Sequence, residues 1–241
     1  MINDMDWFLD NLKNNIQFGY ARFNDGEMMG IADVGSVVAR GDQYVDSSLS
    51  TALKEAIKHK QTNYYIGVPC SLCYPKHNKL ATELIGKYEY LTKAVVTTNR
   101  NWKKFMDNFP TAVSNRRLMW IGGDDQNVDN LEAIGLKVTK KGLIPRKNSW
   151  RYYEHILKTF PKQLQKDDVV CISLGPTARV LVKEWFKEMP DITFIDIGSN
   201  LDPLTRNVSH ACHRGWDNTG FNLAKPCQEC NPPLKNNKEE K

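Results

Sequence analysis

The sequence predicts an α/β fold, with a mostly parallel sheet and helices on both faces, and two observations carry that expectation. Short β-branched or aromatic runs alternate along the chain with segments whose apolar residues recur three or four positions apart. One run, residues 169–174 (VVCISL), is almost continuously apolar, which suits a central strand covered on both sides. Strands that alternate with helices are joined by crossovers, and crossovers make neighbouring strands parallel.

In chain order, the strand-like runs are residues 18–23 (FGYARF), 64–68 (YYIGV), 93–98 (KAVVTT), 117–123 (RLMWIGG), 136–141 (LKVTKK), 168–174 (DVVCISL) and 192–198 (ITFIDIG). Helical patterns occupy residues 47–60, 77–88, 101–108, 127–134, 149–160 and 177–188, the last with Val180, Leu181 and Trp185 on one face. A short helical pattern, EMMGIA, begins at Glu27. No solenoid-type repeat is visible. Composition changes only near the C-terminus, so residues 1–230 are expected to form a single domain and residues 231–241 a disordered tail with nothing to bury.

The chain has 241 residues, 41% hydrophobic and 25% charged, which is ordinary for a globular protein and excludes a disordered one. A net charge of +5 suits a phosphate-bearing substrate, and no aromatic-basic interleaving marks a nucleic-acid face. No apolar run approaches the ~18 residues of a membrane span. The N-terminus carries Asp4, Asp6 and Asp10 in place of the basic start and apolar core of a signal peptide. A cytoplasmic protein is expected, whose six cysteines serve as thiols or metal ligands rather than disulfides. Nothing in the sequence fixes an oligomeric state.

The most informative stretch is Arg22-Phe23-Asn24-Asp25-Gly26-Glu27, between a strand pattern and a helical one. If it is extended, Asp25 and Glu27 point to one side and converge on a hard cation, Mn2+ or Mg2+. Gly26 leaves room for a ligand near the backbone, and Arg22 offers a fork of donors to a diphosphate. The same residues also read as a plain turn capping a helix, with Glu27 satisfying the helix N-terminus. Further along, Ser173-Leu174-Gly175-Pro176-Thr177-Ala178 is a strand end, a turn and a helix start, where free N–H groups can hold an anion. Ile144 to Trp150 opens another helix with Arg146 and Lys147, and Asp196-Ile197-Gly198 closes the last strand.

In this order the stretches resemble the GT-D type glycosyltransferases, small Rossmann-like bacterial enzymes that extend glycans on serine-rich adhesins, together with relatives first classed as a domain of unknown function. The motifs that carry the resemblance are Arg22–Glu27, Ile66–Pro69, Pro145–Trp150, Gly175–Leu181 and Asp196–Gly198, within roughly residues 15–200. Asn24 stands where that family has Gly, and Ser199-Asn200-Leu201-Asp202 where it often has His.

The resemblance implies a Rossmann-like fold and a metal-dependent glycosyltransferase, hexosyl or pentosyl. Such an enzyme moves a sugar from a nucleotide-sugar donor, a UDP-sugar, to a hydroxyl of a glycan or glycoprotein. It places Mn2+ or Mg2+ on Asp25 and Glu27. Arg22, Gly26, Pro69, Lys147, Asn148, Gly175, Pro176 and Thr177 are expected around the donor. Asp196 and Asp202 are the candidate bases, with strand-end capping and a solvated turn as their plain alternatives. Another Rossmann-like nucleotide-dependent transferase, or a non-catalytic zinc-stabilised binding module, is the competing reading.

Cys70-x2-Cys73 and Cys227-x2-Cys230, each preceded by Pro, have the spacing of zinc knuckles and together make a four-sulfur set for structural Zn2+. His210, Cys212 and His213 with Cys227 and Cys230 form a competing set; redox chemistry and unligated thiols are the other readings. Cys171 reads as an inert core thiol, and Trp216 and Phe221 as candidate walls of an acceptor cleft.

Overall fold

The computed structural model describes residues 5–208 together with Cys227 and Cys230. The segments carrying His210, Cys212, His213, Trp216 and Phe221, and the expected tail 231–241, lie outside the described residues.

In chain order the elements are α1 (Asp6–Lys13), β1 (Gly19–Arg22), α2 (Asp25–Ala32), a two-stranded hairpin of β2 (Val37–Val38) and β3 (Gln43–Tyr44), α3 (Ser47–Lys58), β4 (Tyr64–Val68), α4 (Pro75–Ile85) and β5 (Leu91–Lys93). They continue with α5 (Trp102–Val113), β6 (Leu118–Gly123), a 3-10 helix at Val128–Ile134, β7 (Val138–Ile144), α6 (Tyr153–Thr159), β8 (Val169–Ser173), α7 (Thr177–Glu188), β9 (Thr193–Asp196) and the single turn α8 (Asp202–Thr205). Seven strands form one sheet in the order β5-β4-β1-β9-β8-β6-β7, and every pairing in it is parallel. The α/β, Rossmann-like architecture expected from the alternation is therefore present.

Sequence and burial agree strand by strand. All five residues of β8 are buried, as a run with no polar alternation requires. The two edges are blunted differently. β5 has only three residues, and β7 carries the exposed Lys140 and Lys141, so neither invites another strand.

Helices cover both faces. One core layer joins Met28, Leu49, Leu53, Ile66, Ile172, Leu181 and Trp185 from α2, α3, α7 and the sheet. The other is rich in aromatics, with Phe8, Phe18, Tyr20, Phe105, Phe109 and Trp120 between α1, α5 and the sheet. Among the described residues no helix is long and apolar enough to cross a membrane.

Three local expectations change. The run 93–98 pairs only at Lys93; residues 94–98 are turns and a bend, buried by packing rather than by strand pairing. Residues 127–134 wind as a 3-10 helix, and 149–160 begins as one. The stretch after Arg22 is not extended past Asn24: Asp25 is already the first residue of α2.

The connection after β8, α7, packs in the layer of Leu181 and Trp185, whereas Leu201 after β9 packs in the aromatic layer. Neighbouring strands whose connections leave on opposite faces open a crevice at their C-terminal ends, and ligands of α/β sheets bind in such crevices. β1, the other neighbour of β9, adds Arg22 beside it.

Candidate functional site

A cleft of about 210 Å³ opens at the C-terminal ends of β8 and β9. Its walls come from the β8–α7 turn (Ser173, Leu174, Gly175), the loop after β9 (Gly198, Ser199, Asp202) and three arginines, Arg146, Arg179 and Arg206. Glu27, Asp42 and Gln43 complete it.

Arg179 organises its floor. It sits in the first turns of α7, among buried Ala178, Val180 and Leu181, and is only 3% exposed. A buried guanidinium has to be paired. Its Nη2 lies 3.2 Å from Glu27 Oε1. Its Nε lies 2.9 Å from Asp196 Oδ2 and donates to the Arg22 carbonyl at 2.6 Å. Nη1 donates to the Gly175 carbonyl. One side chain thus ties together the ends of β1 and β9, the start of α2 and the glycine turn.

Asp196 is fully buried, and its Oδ2 also accepts the Arg22 backbone N–H at 3.2 Å. Burial pushes its carboxyl above the usual carboxylate range against the pull of Arg179 and Arg22. This aspartate, expected as a candidate base, instead holds the floor of the cleft. Arg22 donates from Nη1 to Asn200 at 3.4 Å, and Asn200 is itself held by Thr97 and by Trp102, whose Nε1 donates to its carbonyl at 2.9 Å. The turns at 94–98, expected as strand, thus anchor the loop that meets Arg22. Gly198 closes over the guanidinium: its φ is +53°, and a Cβ there would lie 1.8 Å from Arg22 Nη2.

The rim carries two arginines, each paired with aspartates. Arg206 forms a two-point bridge to Asp125, at 2.7 and 2.9 Å, and meets Asp202 at 2.6 Å. Arg146 meets Asp42 at 2.5 Å and Asp125 at 2.9 Å. Burial acts against the charge of Asp125, but the Arg206 and Arg146 guanidiniums outweigh it and hold its carboxyl below the usual range.

Arg146 is aimed by the hairpin. Gln43 donates to its carbonyl at 2.6 Å and accepts the Ser149 N–H at 3.0 Å, while Asn148, at φ +50°, accepts the Tyr44 N–H at 2.9 Å. Ser149 in turn bonds the Leu174 carbonyl and the Thr177 hydroxyl, at 2.9 and 2.8 Å, and so joins this segment to the α7 start.

The expected residues sort by this geometry. Gly175 and Asp202 line the cleft, and Pro176 and Thr177 open α7 behind it. Asn148 works as a clamp for the hairpin, and Lys147 is exposed and absent from the cleft wall, where Arg146 stands instead. Gly26 faces Val38, whose Cβ would stand in ordinary contact 3.6 Å from a Cβ added there, and the Pro69 carbonyl accepts the Asn78 side-chain amide at 2.7 Å. Arg146, Arg179, Arg206 and Gln43 are site residues that sequence reasoning did not select.

Asp25 and Glu27 lie in the first turn of α2 rather than on an extended stretch. Positions two apart on a helix do not share a face, and Glu27 turns back so that Oε2 accepts the Asn24 N–H at 3.0 Å, the return half of a capping box. With its other oxygen on Arg179, Glu27 has a donor on each side. A divalent cation held by both carboxylates does not fit this arrangement, because it would face a guanidinium at Glu27. Asp25 looks elsewhere: burial and the neighbouring Asp25 carboxylate push the Tyr74 hydroxyl up.

Tyr74 follows Cys73, and here the structure gathers the two cysteine pairs. The sulfurs of Cys70, Cys73, Cys227 and Cys230 all lie within 4.8 Å of one another. Cys171, by contrast, is fully buried in β8, where desolvation pushes its thiol up.

No protein-family model matches the chain, and no curated protein matches it. Solved structures do. One, described as "The highly conserved domain of unknown function 1792 has a distinct glycosyltransferase fold", is 18% identical at a TM-score of 0.60, covering 79% of this chain and 75% of that one. A second, "A New Glycosyltransferase (DUF1792) from Streptococcus sanguinis", is also 18% identical, at a TM-score of 0.64 over 82% of this chain and 81% of that one. By the course of its sheet and helices, this chain has the glycosyltransferase fold described for domain of unknown function 1792.

Proposed function

We propose that the protein is a glycosyltransferase that moves a hexosyl or pentosyl group from a nucleotide-sugar, a UDP-sugar, to a hydroxyl of a glycan or glycoprotein. The observation that carries this reading is the cleft at the β8 and β9 ends, where the start of α7 and the Arg146 and Arg206 side chains converge. Its volume of about 210 Å³ is below the ~300–1,000 Å³ of whole small-molecule sites. It suits a diphosphate, with the nucleoside and sugar running out of it.

In the transfer, the bond between the anomeric carbon and the diphosphate oxygen breaks as the acceptor oxygen bonds to that carbon, and negative charge grows on the leaving diphosphate. Arg146, Arg206 and the N–H groups of the Gly175 turn are fixed donors for that charge. Their carboxylate partners keep them oriented before the donor arrives. Glu27, Asp42 and Asp202 are the carboxylates on the cleft wall; Glu27 is tied to Arg179 and Asp42 to Arg146, and Asp202 takes the acceptor proton if configuration inverts.

Thermal shift with UDP, GDP and S-adenosylmethionine, each with Mn2+ or with EDTA, tests the reading. At a hundredfold excess over Kd, UDP should stabilise by about 2.7 kcal/mol, or roughly 5–10 °C for a chain of this size. An equal shift in EDTA fits the arginine cradle alone. A shift that needs Mn2+ brings a cation back, with Asp25 as its carboxylate. If no nucleoside diphosphate moves the melting temperature, the proposal fails, and a shift with S-adenosylmethionine alone makes the protein a different transferase.

A further inference from the structure

We propose that Cys70, Cys73, Cys227 and Cys230 form a tetrahedral four-thiolate zinc site that fastens the chain around Cys227 and Cys230 to the loop between β4 and α4. In a tetrahedral site with Zn–S bonds of about 2.3 Å, neighbouring sulfurs stand about 3.8 Å apart. Here Cys70 and Cys227 sulfurs are 3.6 Å apart and Cys73 and Cys230 sulfurs 3.5 Å, with all four inside 4.8 Å. Four cysteines outside any disulfide, brought this close from two distant parts of the chain, need a reason. They are not an extension of the main core: among the described residues Cys70, Cys227 and Cys230 form a cluster of their own, with Val95 packed against it.

The surroundings suit a metal. Both pairs have two residues between the cysteines, the spacing of a zinc knuckle. The first pair turns tightly, with the Tyr74 N–H donating to the Cys70 carbonyl at 2.9 Å. The Asn99 side-chain amide points at the Cys230 sulfur from 3.8 Å, as an outer donor to a ligating thiolate does. Four protein sulfurs leave no open position for a substrate, so the site is structural.

Its position gives it a role. Cys73 is followed by Tyr74, whose hydroxyl neighbours Asp25 at the start of α2. The zinc therefore holds the β4–α4 loop in place beside that aspartate and ties in chain far beyond β9. This holds whatever group the protein transfers.

The full chain, purified without chelator or added metal, should contain about one zinc per chain by elemental mass spectrometry. Exchange for Co2+ should give the visible bands and sulfur-to-metal charge transfer of a tetrahedral thiolate site. Cys73→Ser and Cys230→Ser should each lose the zinc and lower the melting temperature, whereas Cys212→Ser, from the competing ligand set, should keep it. Should the serine variants not fold, metal content and the Co2+ spectrum of the unaltered chain decide. A chain free of zinc with a featureless Co2+ spectrum, cysteines recovered as disulfides, or zinc lost with Cys212→Ser would each overturn the proposal.

Discussion

Arg179 Nη2 stands 3.2 Å from Glu27 Oε1, and both side chains are almost closed off from water. The pair joins the start of α2 to the first turns of α7 beneath the cleft. Removing one partner of a buried pair leaves the other charge stranded, a loss of about 3–5 kcal/mol. Arg179→Ala should cost that much in urea unfolding. Glu27→Gln keeps a hydrogen-bonding oxygen and should cost less, about 1–3 kcal/mol. Asp25→Asn, outside the pair, should unfold like the parent. Equal effects for Asp25→Asn and Glu27→Gln would mean that the two carboxylates act together after all.

Gly198 rides directly on Arg22. Its positive φ alone makes Ala unfavourable by roughly 1 kcal/mol or more, and the added Cβ would fall 1.8 Å from Arg22 Nη2. Gly198→Ala should therefore move the guanidinium off Asn200, lower stability by about 1–3 kcal/mol and weaken UDP binding by isothermal titration calorimetry. A variant that binds UDP as the parent does would separate Arg22 from the ligand.

Much of the fold was legible because it is written in local periodicity. The fully buried β8 announced itself by an unbroken apolar run, and α7 by Val180, Leu181 and Trp185. Where tertiary packing decides, the reading slipped. Residues 94–98 look like a strand by residue type, yet they are turns and a bend, with Val96 packed in the aromatic layer and Thr97 bonded to Asn200. The Asn24–Glu27 spacing contained a helix-start signal as strong as the metal-site reading, and the helix won. Arg179 had no signal of its own, since an arginine between Ala178 and Val180 on a helix reads equally as a solvent-facing position. Arg206 and Gln43 had none, since their roles depend on partners far along the chain. The four cysteines were legible as one group because knuckle spacing survives any intervening length.

Asp125 should shape acid stability. Its folded carboxyl titrates below the usual value because Arg206 and Arg146 outweigh the effect of burial. A lowered folded pKa gives stability that is present above the unfolded value of about 3.9 and lost as pH falls through the folded one. Asp125→Asn should thus lower the melting temperature at neutral pH and converge with the parent below about pH 3. A gap between the two proteins that stays constant from neutral pH to acid would show that the ion pairs add nothing.

The arginines of the rim should divide by burial. Arg146 is 45% exposed at the side chain, and its bridges to Asp42 and Asp125 are worth little to stability. A charge-assisted contact from it to a diphosphate would contribute about 1.5–3 kcal/mol, so Arg146→Ala should weaken UDP binding roughly ten- to a hundredfold and leave the melting temperature within error. Arg206 is 12% exposed and holds Asp125 and Asp202 together, so Arg206→Ala should lose both affinity and stability. Lys147→Ala is the control, since that lysine is absent from the cleft wall. If Lys147→Ala weakens UDP binding as much as Arg146→Ala does, the phosphates do not lie between the α7 start and the arginine rim.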